Sequence, residues 1–299
     1  MKKVSMWIAA LKYNLKEWKS AFLAIAGALY TILSVILSFQ SWEELGVETA
    51  GIKIAVFIIG LLIAAITSGL YILVRKTRTV WSNGTGSIVL SYDDIVKFAF
   101  SKSKEKAYNL VIPVNTSFDT IVDRDTRTEK KLVSQNTIHG KWIDAYIGSG
   151  KSREELDAEI DSKLKEISPI KELSKSEKER GKRKVYPIGT IIPIRCQDGV
   201  TAFLVAISDF DSNNNAQSDK DKIIQCAEKI VEYSDKHGNG ESLYLPLFGT
   251  GQSRAGLSHE DSLRLIRNVL ELNCERIHGK IQIVIWTGDR DKVSIYPKD

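Results

Sequence analysis

The residues best suited to holding a ligand stand at 243–262, LYLPLFGTGQSRAGLSHEDS. The apolar run 243–247 reads as a buried strand. It breaks at Gly249-Thr250-Gly251, and Gly256 follows soon after. Ser258, with Asp261 three residues on, then opens a helix in nearly the pattern of a capping box. Strand, glycine-rich loop and helix N-terminus together make a phosphate cradle. Glycines let the backbone come close and aim its N–H groups inward, and the helix end adds partial positive charge. The residues that would line it are Phe248, Gly249, Thr250, Gly251, Gln252, Ser253 and Arg254. An ordinary strand-to-helix turn uses the same residue types, and Arg254 reads equally as a phosphate cation or as half of a surface ion pair.

Two further clusters have polar groups where a sheet presents them. A short strand at 87–90 runs into Ser91-Tyr92-Asp93-Asp94-Ile95. A second, at 109–114, ends in Asn115, Thr116, Ser117, Phe118, Asp119 and Thr120. Polar residues just past a strand end are where α/β sheets bind ligands, although Asn and Asp also favour such loops for their own turn geometry. A third cluster is Thr137-Ile138-His139-Gly140. The segment Gly148-Ser149-Gly150-Lys151-Ser152 imitates the end of a P-loop, but Ala145 stands where that motif needs glycine and no clean strand precedes it. Ser152 fits better as an N-cap, with Glu155 completing a capping box. The stretch 203–209 imitates a Walker B strand, as many buried strands ending in Asp do.

Composition narrows the classes. The 299 residues carry a net charge of +5, with Lys and Arg interleaved among acids, which argues against nucleic acid as a partner. Cys196, Cys226 and Cys274 lack metal-like spacing and read as thiols in a reducing compartment. The four histidines are scattered, so neither a zinc site nor another metal or cofactor is expected.

The elements that must position these residues begin with a membrane region. Two stretches, 21–39 and about 54–74, are apolar and long enough to cross a bilayer. The first lacks the cleavage site of a signal peptide and is followed by the second. Lys2, Lys3, Lys12, Lys16 and Lys19 precede the first stretch, and Arg75, Lys76 and Arg78 follow the second. Glu43, Glu44 and Glu48 lie between them. The positive-inside rule therefore expects a multi-pass protein with both termini in the cytoplasm. Trp7, Ile8, Leu11, Leu15 and Trp18 recur at helical spacing and read as an amphipathic segment over 1–20, or as an extension of the first span. Neither span contains an ionisable residue for an ion relay, and two spans enclose no pore without further copies. A passive anchor is an equally good reading.

Residues 21–78 thus form a transmembrane region and 79–86, containing SNGTGS, a linker. Residues 87–299 form a cytoplasmic domain interrupted by a charged insertion at 149–185, within which 171–184 reads as a loop or exposed insertion. Two strands from Ile188 onward meet at Asp198-Gly199, a hairpin signal. A helix over 216–237 places Ile223, Ile224, Ala227, Ile230 and Val231 on one face. A helix to about Cys274 and a strand at 281–286 finish the chain. Strands alternating with helices, plus one hairpin, predict an α/β fold with a mixed sheet and helices on both faces.

With these residues in place, the cytoplasmic part resembles a macro domain, a three-layer αβα fold that binds ADP-ribose. Asp94 is similar to the family's adenine-reading aspartate and Asn115 to its asparagine near the distal ribose. Thr137 to Gly140 resemble the first phosphate loop, and Phe248 to Gly256 the second. Asp119 stands near the place of the family's usual second asparagine, so the resemblance implies binding rather than turnover. A membrane-tethered ADP-ribosyl hydrolase is the alternative. Two N-terminal spans before a divergent macro domain resemble the membrane effectors of type II Thoeris antiphage defence. That resemblance implies a bacterial inner-membrane protein and a homo-oligomer. It also implies an ADP-ribose-derived signal, histidine-ADP-ribose, made by a TIR-domain enzyme that consumes NAD. Sensing of the signal would lead to damage of the lipid bilayer and cell death. Asp119 or Asp123 would meet a cationic group on the signal.

Overall fold

A computed structural model describes residues 2–100, 107–125, 131–210, 216–250 and 256–296. The chain forms two compact units. One comprises Met1–Lys76 with Arg290–Asp299, the other Thr77–Asp289.

The first unit holds three helices: α1 (Lys2–Tyr13), α2 (Leu15–Leu37) and α3 (Ala50–Val74). The 23 residues of α2 and 25 of α3 give lengths of about 35 Å at 1.5 Å per residue, enough to span a bilayer's hydrocarbon core. Both run longer toward their N-termini than apolarity alone predicts. The amphipathic pattern expected over 1–20 is divided at Asn14, whose Nδ2 donates to the Ala10 carbonyl at 2.8 Å. Leu15 and Trp18 therefore belong to α2. The two long helices are joined by polar contacts. Trp18 Nε1 donates to Ser68 Oγ at 3.0 Å, and Tyr30 OH to the Phe57 carbonyl at 2.6 Å. Gly60 leaves room for the Tyr30 hydroxyl, which a Cβ would meet at 3.0 Å. Such bonds and small residues are what hold helices together where lipid supplies no hydrophobic drive. Leu23, Ile54, Leu62 and Ile66 are exposed, as lipid-facing side chains would be.

The second unit opens with β1 (Thr77–Ser82) and β2 (Ser87–Asp93), an antiparallel pair. The residues read as a linker at 79–86 are thus half strand and half tight turn. Asn83 Oδ1 accepts from the backbone N–H groups of Thr85 and Gly86, closing a hairpin as Asn does in turns. Next come α4 (Ile95–Phe100), β3 (Tyr108–Asn115), β4 (Val122–Asp123), β5 (Val133–Ser134), α5 (Ile138–Gly148) and α6 (Arg153–Leu164). Then follow β6 (Lys171–Glu172), β7 (Lys184–Val185), β8 (Ile191–Gln197), β9 (Val200–Phe210), β10 (Ala216–Gln217) and α7 (Lys220–His237). The chain closes with β11 (Ser242–Pro246), α8 (His259–Leu272) and β12 (Lys280–Trp286). The helix expected from 216 starts later because Ala216 and Gln217 pair with β9.

Among the described residues the main sheet has eight strands in the order β1-β2-β12-β11-β3-β9-β10, with β8 also on β9. Strands β2, β12, β11, β3 and β9 are mutually parallel, while β1, β8 and β10 run antiparallel. The mixed sheet is as expected. Alternate residues of β3 and β9 point to opposite faces. Leu110, Ile112, Val114, Ala202 and Leu204 pack with Trp142, Ile143, Leu156 and Ile160 of α5 and α6. On the other face Phe203 meets Tyr233 of α7 edge-on, ring centroids 5.0 Å apart. Helix α6 is less solvated than its charge suggests, because Leu156, Ile160 and Leu164 form a buried stripe.

Candidate functional site

Parallel strands bring their C-terminal ends to one edge of the sheet. Asp93 ends β2, Asn115 ends β3, Pro246 ends β11 and Trp286 ends β12. Three of the sequence-derived clusters follow these strand ends, so the topology gathers Asp94, Asn115 and the Phe248–Gly249 turn along that edge.

Asn115 is the most informative of them. Its Oδ1 accepts from the N–H groups of Ser117 at 3.0 Å and Asp119 at 3.3 Å. Those two donors fix which end of the amide is oxygen. Nδ2 is buried and has no hydrogen-bond partner among the described residues. A buried donor left unpaired costs roughly 1–3 kcal/mol, so this one is a ready contact for a ligand oxygen. The turn that presents it is strained. Phe118 adopts φ 54°, a left-handed conformation unfavourable for an aromatic residue. It is held there by burial and by an edge-on contact with Tyr186 at 5.9 Å. Thr116 is buried, with its N–H on the Ser208 carbonyl and its own carbonyl accepting from Tyr186.

Asp119 has a different environment from the one expected. Its Oδ2 lies 2.6 Å from Lys178 Nζ and its Oδ1 accepts from Lys182 N–H at 2.7 Å. Asp123 binds Arg180 Nη2 at 2.6 Å and Leu132 N–H at 2.8 Å. Most of 171–184 is exposed, as its charge pattern predicts, but Lys178 is buried. β6 and β7 form its small ladder; Lys178 pairs with Asp119 and Arg180 with Asp123, while the Lys182 ammonium reaches Asp157 and Asp161 of α6. Both acids expected to meet a cationic group on a ligand already have cations of this chain. Burial pulls Asp119 up and Lys178 down, each toward its neutral form, while the pair's own attraction opposes both shifts.

The Thr137–Gly140 cluster is the start of α5. Thr137 is its N-cap and accepts from Gly140 N–H at 3.0 Å. A Cβ at Gly140 would collide with the Ser134 carbonyl, so glycine is needed for packing. His139 is buried in the first turn, and burial pushes its pKa down to about 3. It is a neutral imidazole near neutral pH.

In the second loop Gly249 has φ 89°, and a Cβ there would press on Ile223 at 3.0 Å. Phe248 is buried, and its carbonyl accepts from Ser262 Oγ at 2.7 Å. Gly251, Gln252, Ser253 and Arg254 lie outside the described residues. Ser258 caps α8, accepting from Asp261 N–H at 3.0 Å. That first turn already carries Glu260 and Asp261, whose charges use the helix's positive end. A phosphate at this loop would rest on loop amides more than on the helix dipole.

Asp94 follows β2, where its Oδ1 accepts from Val96 N–H at 3.2 Å. Sequence reasoning passed over Trp286. It pairs in register with Asp93, is 55% exposed, and has Lys141 Nζ 5.6 Å from its ring centroid. A large exposed ring at the end of a central strand was the available signal. Lys151 does no phosphate chemistry here. Its Nζ donates to the carbonyls of Arg195 and Cys196 at 2.7 and 3.1 Å, and the preceding element is a helix. Burial raises the Cys196 thiol to about 11 and the Cys226 thiol to about 12, as suits inert side chains.

A family model described as Thoeris protein ThsA, Macro domain, matches residues 88–286. The chain belongs to the ThsA macro-domain family. The Thoeris protein ThsA of Bacillus amyloliquefaciens (strain Y2) is 25% identical over 278 residues, covering 90% of this chain and 85% of that protein. Among solved structures, a mutant Oceanobacillus iheyensis macrodomain with ADPR has a TM-score of 0.46 at 12% identity, covering 74% of this chain and 94% of that one. The Trypanosoma brucei macrodomain in complex with ADP-ribose has a TM-score of 0.39 at 12% identity, covering 68% and 65%. The family match spans β2 through β12.

Proposed function

We propose that the protein is a membrane-anchored effector of Thoeris antiphage defence whose macro domain senses an ADP-ribose derivative. The observation that carries this reading is the buried, unpaired Asn115 Nδ2 at the C-terminal edge of the parallel strands. It is an oriented donor suited to a ribose hydroxyl. Asp94 reads the adenine amino group and the exposed face of Trp286 offers the base a stacking surface. Backbone N–H groups from Gly249 to Arg254, with those at the start of α5 near His139, hold the diphosphate.

In this reading α2 and α3 cross the bacterial inner membrane, with both termini cytoplasmic. The basic residues flanking the spans and the acidic connection between them support that orientation. A TIR-domain enzyme supplies the signal, histidine-ADP-ribose. Binding changes the assembly of several copies, and the altered spans breach the bilayer. A ligand drives such a change only through a difference in its affinity for the two states.

Calorimetric titration of the full chain in nanodiscs tests this, using ADP-ribose, histidine-ADP-ribose, NAD and ATP, with the recovered ligand analysed for cleavage. The expected outcome is preferential binding of the histidine conjugate, recovered intact. Cleaved ligand would move the protein to the membrane-tethered hydrolases. Absence of binding to every adenine diphosphate would overturn the reading.

A further inference from the structure

Lys141 stands in the first turn of α5. Its backbone is fixed there. Its N–H donates to the Thr137 carbonyl at 3.0 Å, and the preceding Gly140 lies so close to the Ser134 carbonyl that a Cβ would collide. The Lys141 side chain is exposed, and among the described residues no carboxylate pairs with its ammonium. Asp144, the acid within α5, is held by Arg124 at 2.8 Å. The first turn of α5 contains no acid either, whereas that of α8 contains Glu260 and Asp261. The positive end of α5 and the Lys141 ammonium are therefore both uncompensated.

What Nζ does meet is the ring of Trp286, 5.6 Å from its centroid. That contact crosses the edge of the sheet. Trp142 and Ile143 of α5 pack with Leu110 and Ile112 of β3, and β11 lies between β3 and β12. The Lys141 side chain thus reaches from the β3 side of the edge to the end of β12, past β11. Trp286 is closely held on its own side, because a Cβ at Gly288 would collide with its ring.

We propose that Lys141 is a phosphate-binding residue of this edge, parked on Trp286 until a nucleoside diphosphate arrives. The proposal rests on the reading of the edge as an ADP-ribose site. An ammonium over an exposed ring is held weakly, and a charge-assisted hydrogen bond to a phosphate oxygen is stronger. Ring and ammonium serve one ligand in turn. A base stacks on Trp286 where the ammonium has left it, and the released ammonium meets the phosphate that the same ligand brings to the start of α5. Base and phosphate recognition are tied together in this way, and a nucleoside without phosphate displaces Lys141 with nothing in return.

Titration of the full chain in nanodiscs with ADP-ribose tests this. Lys141→Met should bind about ten-fold more weakly, with the melting temperature unchanged. Lys141→Arg, which keeps the cation, should stay within about three-fold of wild type. Raising the salt from about 0.05 M to about 0.5 M should weaken the wild-type complex more than the Lys141→Met complex, since screening acts on the charge that the variant lacks. A merely structural role would lower affinity and leave the salt dependence as in wild type. That result, or equal affinity in wild type and Lys141→Met, would overturn the proposal. If the wild-type chain binds no ADP-ribose, the nucleotide reading fails by itself and inorganic pyrophosphate becomes the probe. Pyrophosphate binding that is lost in Lys141→Met keeps the cation site. No binding, or binding that the substitution leaves intact, overturns it.

Discussion

Lys178 Nζ meets Asp119 Oδ2 at 2.6 Å, with the two side chains only 2% and 0% exposed. Gly181 makes this geometry reachable. Its φ is 78°, and a Cβ there would collide with Asp119 Oδ1. The insertion thus acts as a brace for the Asn115 turn. Removing one partner leaves a buried charge, at a cost of about 3–5 kcal/mol. Lys178→Met should destabilise the macro domain by that amount in denaturant unfolding. Adding Asp119→Leu should recover most of the loss, because the stranded carboxylate is then gone.

Asn115 allows the ligand contact to be separated from the turn. Asn115→Asp keeps the acceptor for Ser117 and Asp119 N–H but removes the Nδ2 donor. ADP-ribose affinity should fall roughly ten-fold, the worth of one such hydrogen bond. A titration with unchanged affinity would remove Asn115 from the site.

Gly251→Glu should abolish pyrophosphate-dependent binding with the melting temperature unchanged, since it places a carboxylate where the diphosphate is expected. Gly249→Val acts differently. It forces a β-branched residue into positive φ beside Ile223, and should cost stability by about 1–3 kcal/mol. Binding and melting curves of the two variants, compared side by side, distinguish ligand loss from loop strain.

His139 predicts a pH dependence of stability. Its folded pKa of about 3 lies below the unfolded value of ~6.5. Below that unfolded value the unfolded chain binds the extra proton, so stability present above pH ~6.5 is lost as pH falls toward 3. Between pH 6.5 and 5 the loss is ~1.5 kcal/mol. His139→Gln should lack this component, which unfolding curves at the two pH values measure as a difference from wild type.

Features encoded locally were legible. Ser152 and Glu155 form the full capping box that their spacing announces, and Asp198-Gly199 turns β8 into β9 with Gly199 at φ 72°. The strand-end placement of Asp94, Asn115 and Phe248 followed from counting strands. The exposure of 171–184 was legible, but the burial of Lys178 was not, because charge pattern reports solvation only when no partner is near. The partner of Lys178 lies 59 residues away. Strand β1 was missed because Thr77–Ser82 sits between a basic flank and a turn-rich segment and shows only partial burial. The value of Trp286 depends on its register with Asp93, a long-range pairing that no local period records.

Strand β12 is the last to be made, yet it lies between β2 and β11 in the middle of the sheet. During synthesis β2 waits for a neighbour some 190 residues downstream; the Gln282–Ser91 hydrogen bond spans a separation of 191. Sheets dominated by such distant pairings close late. The apolar helices precede every strand of the sheet in chain order, so they can meet lipid before the sheet is complete. The segment that completes the first unit, from Arg290 onward, emerges after β12. A ribosome that stops before β12 therefore releases the two long apolar helices with neither a closed sheet nor the segment from Arg290 onward.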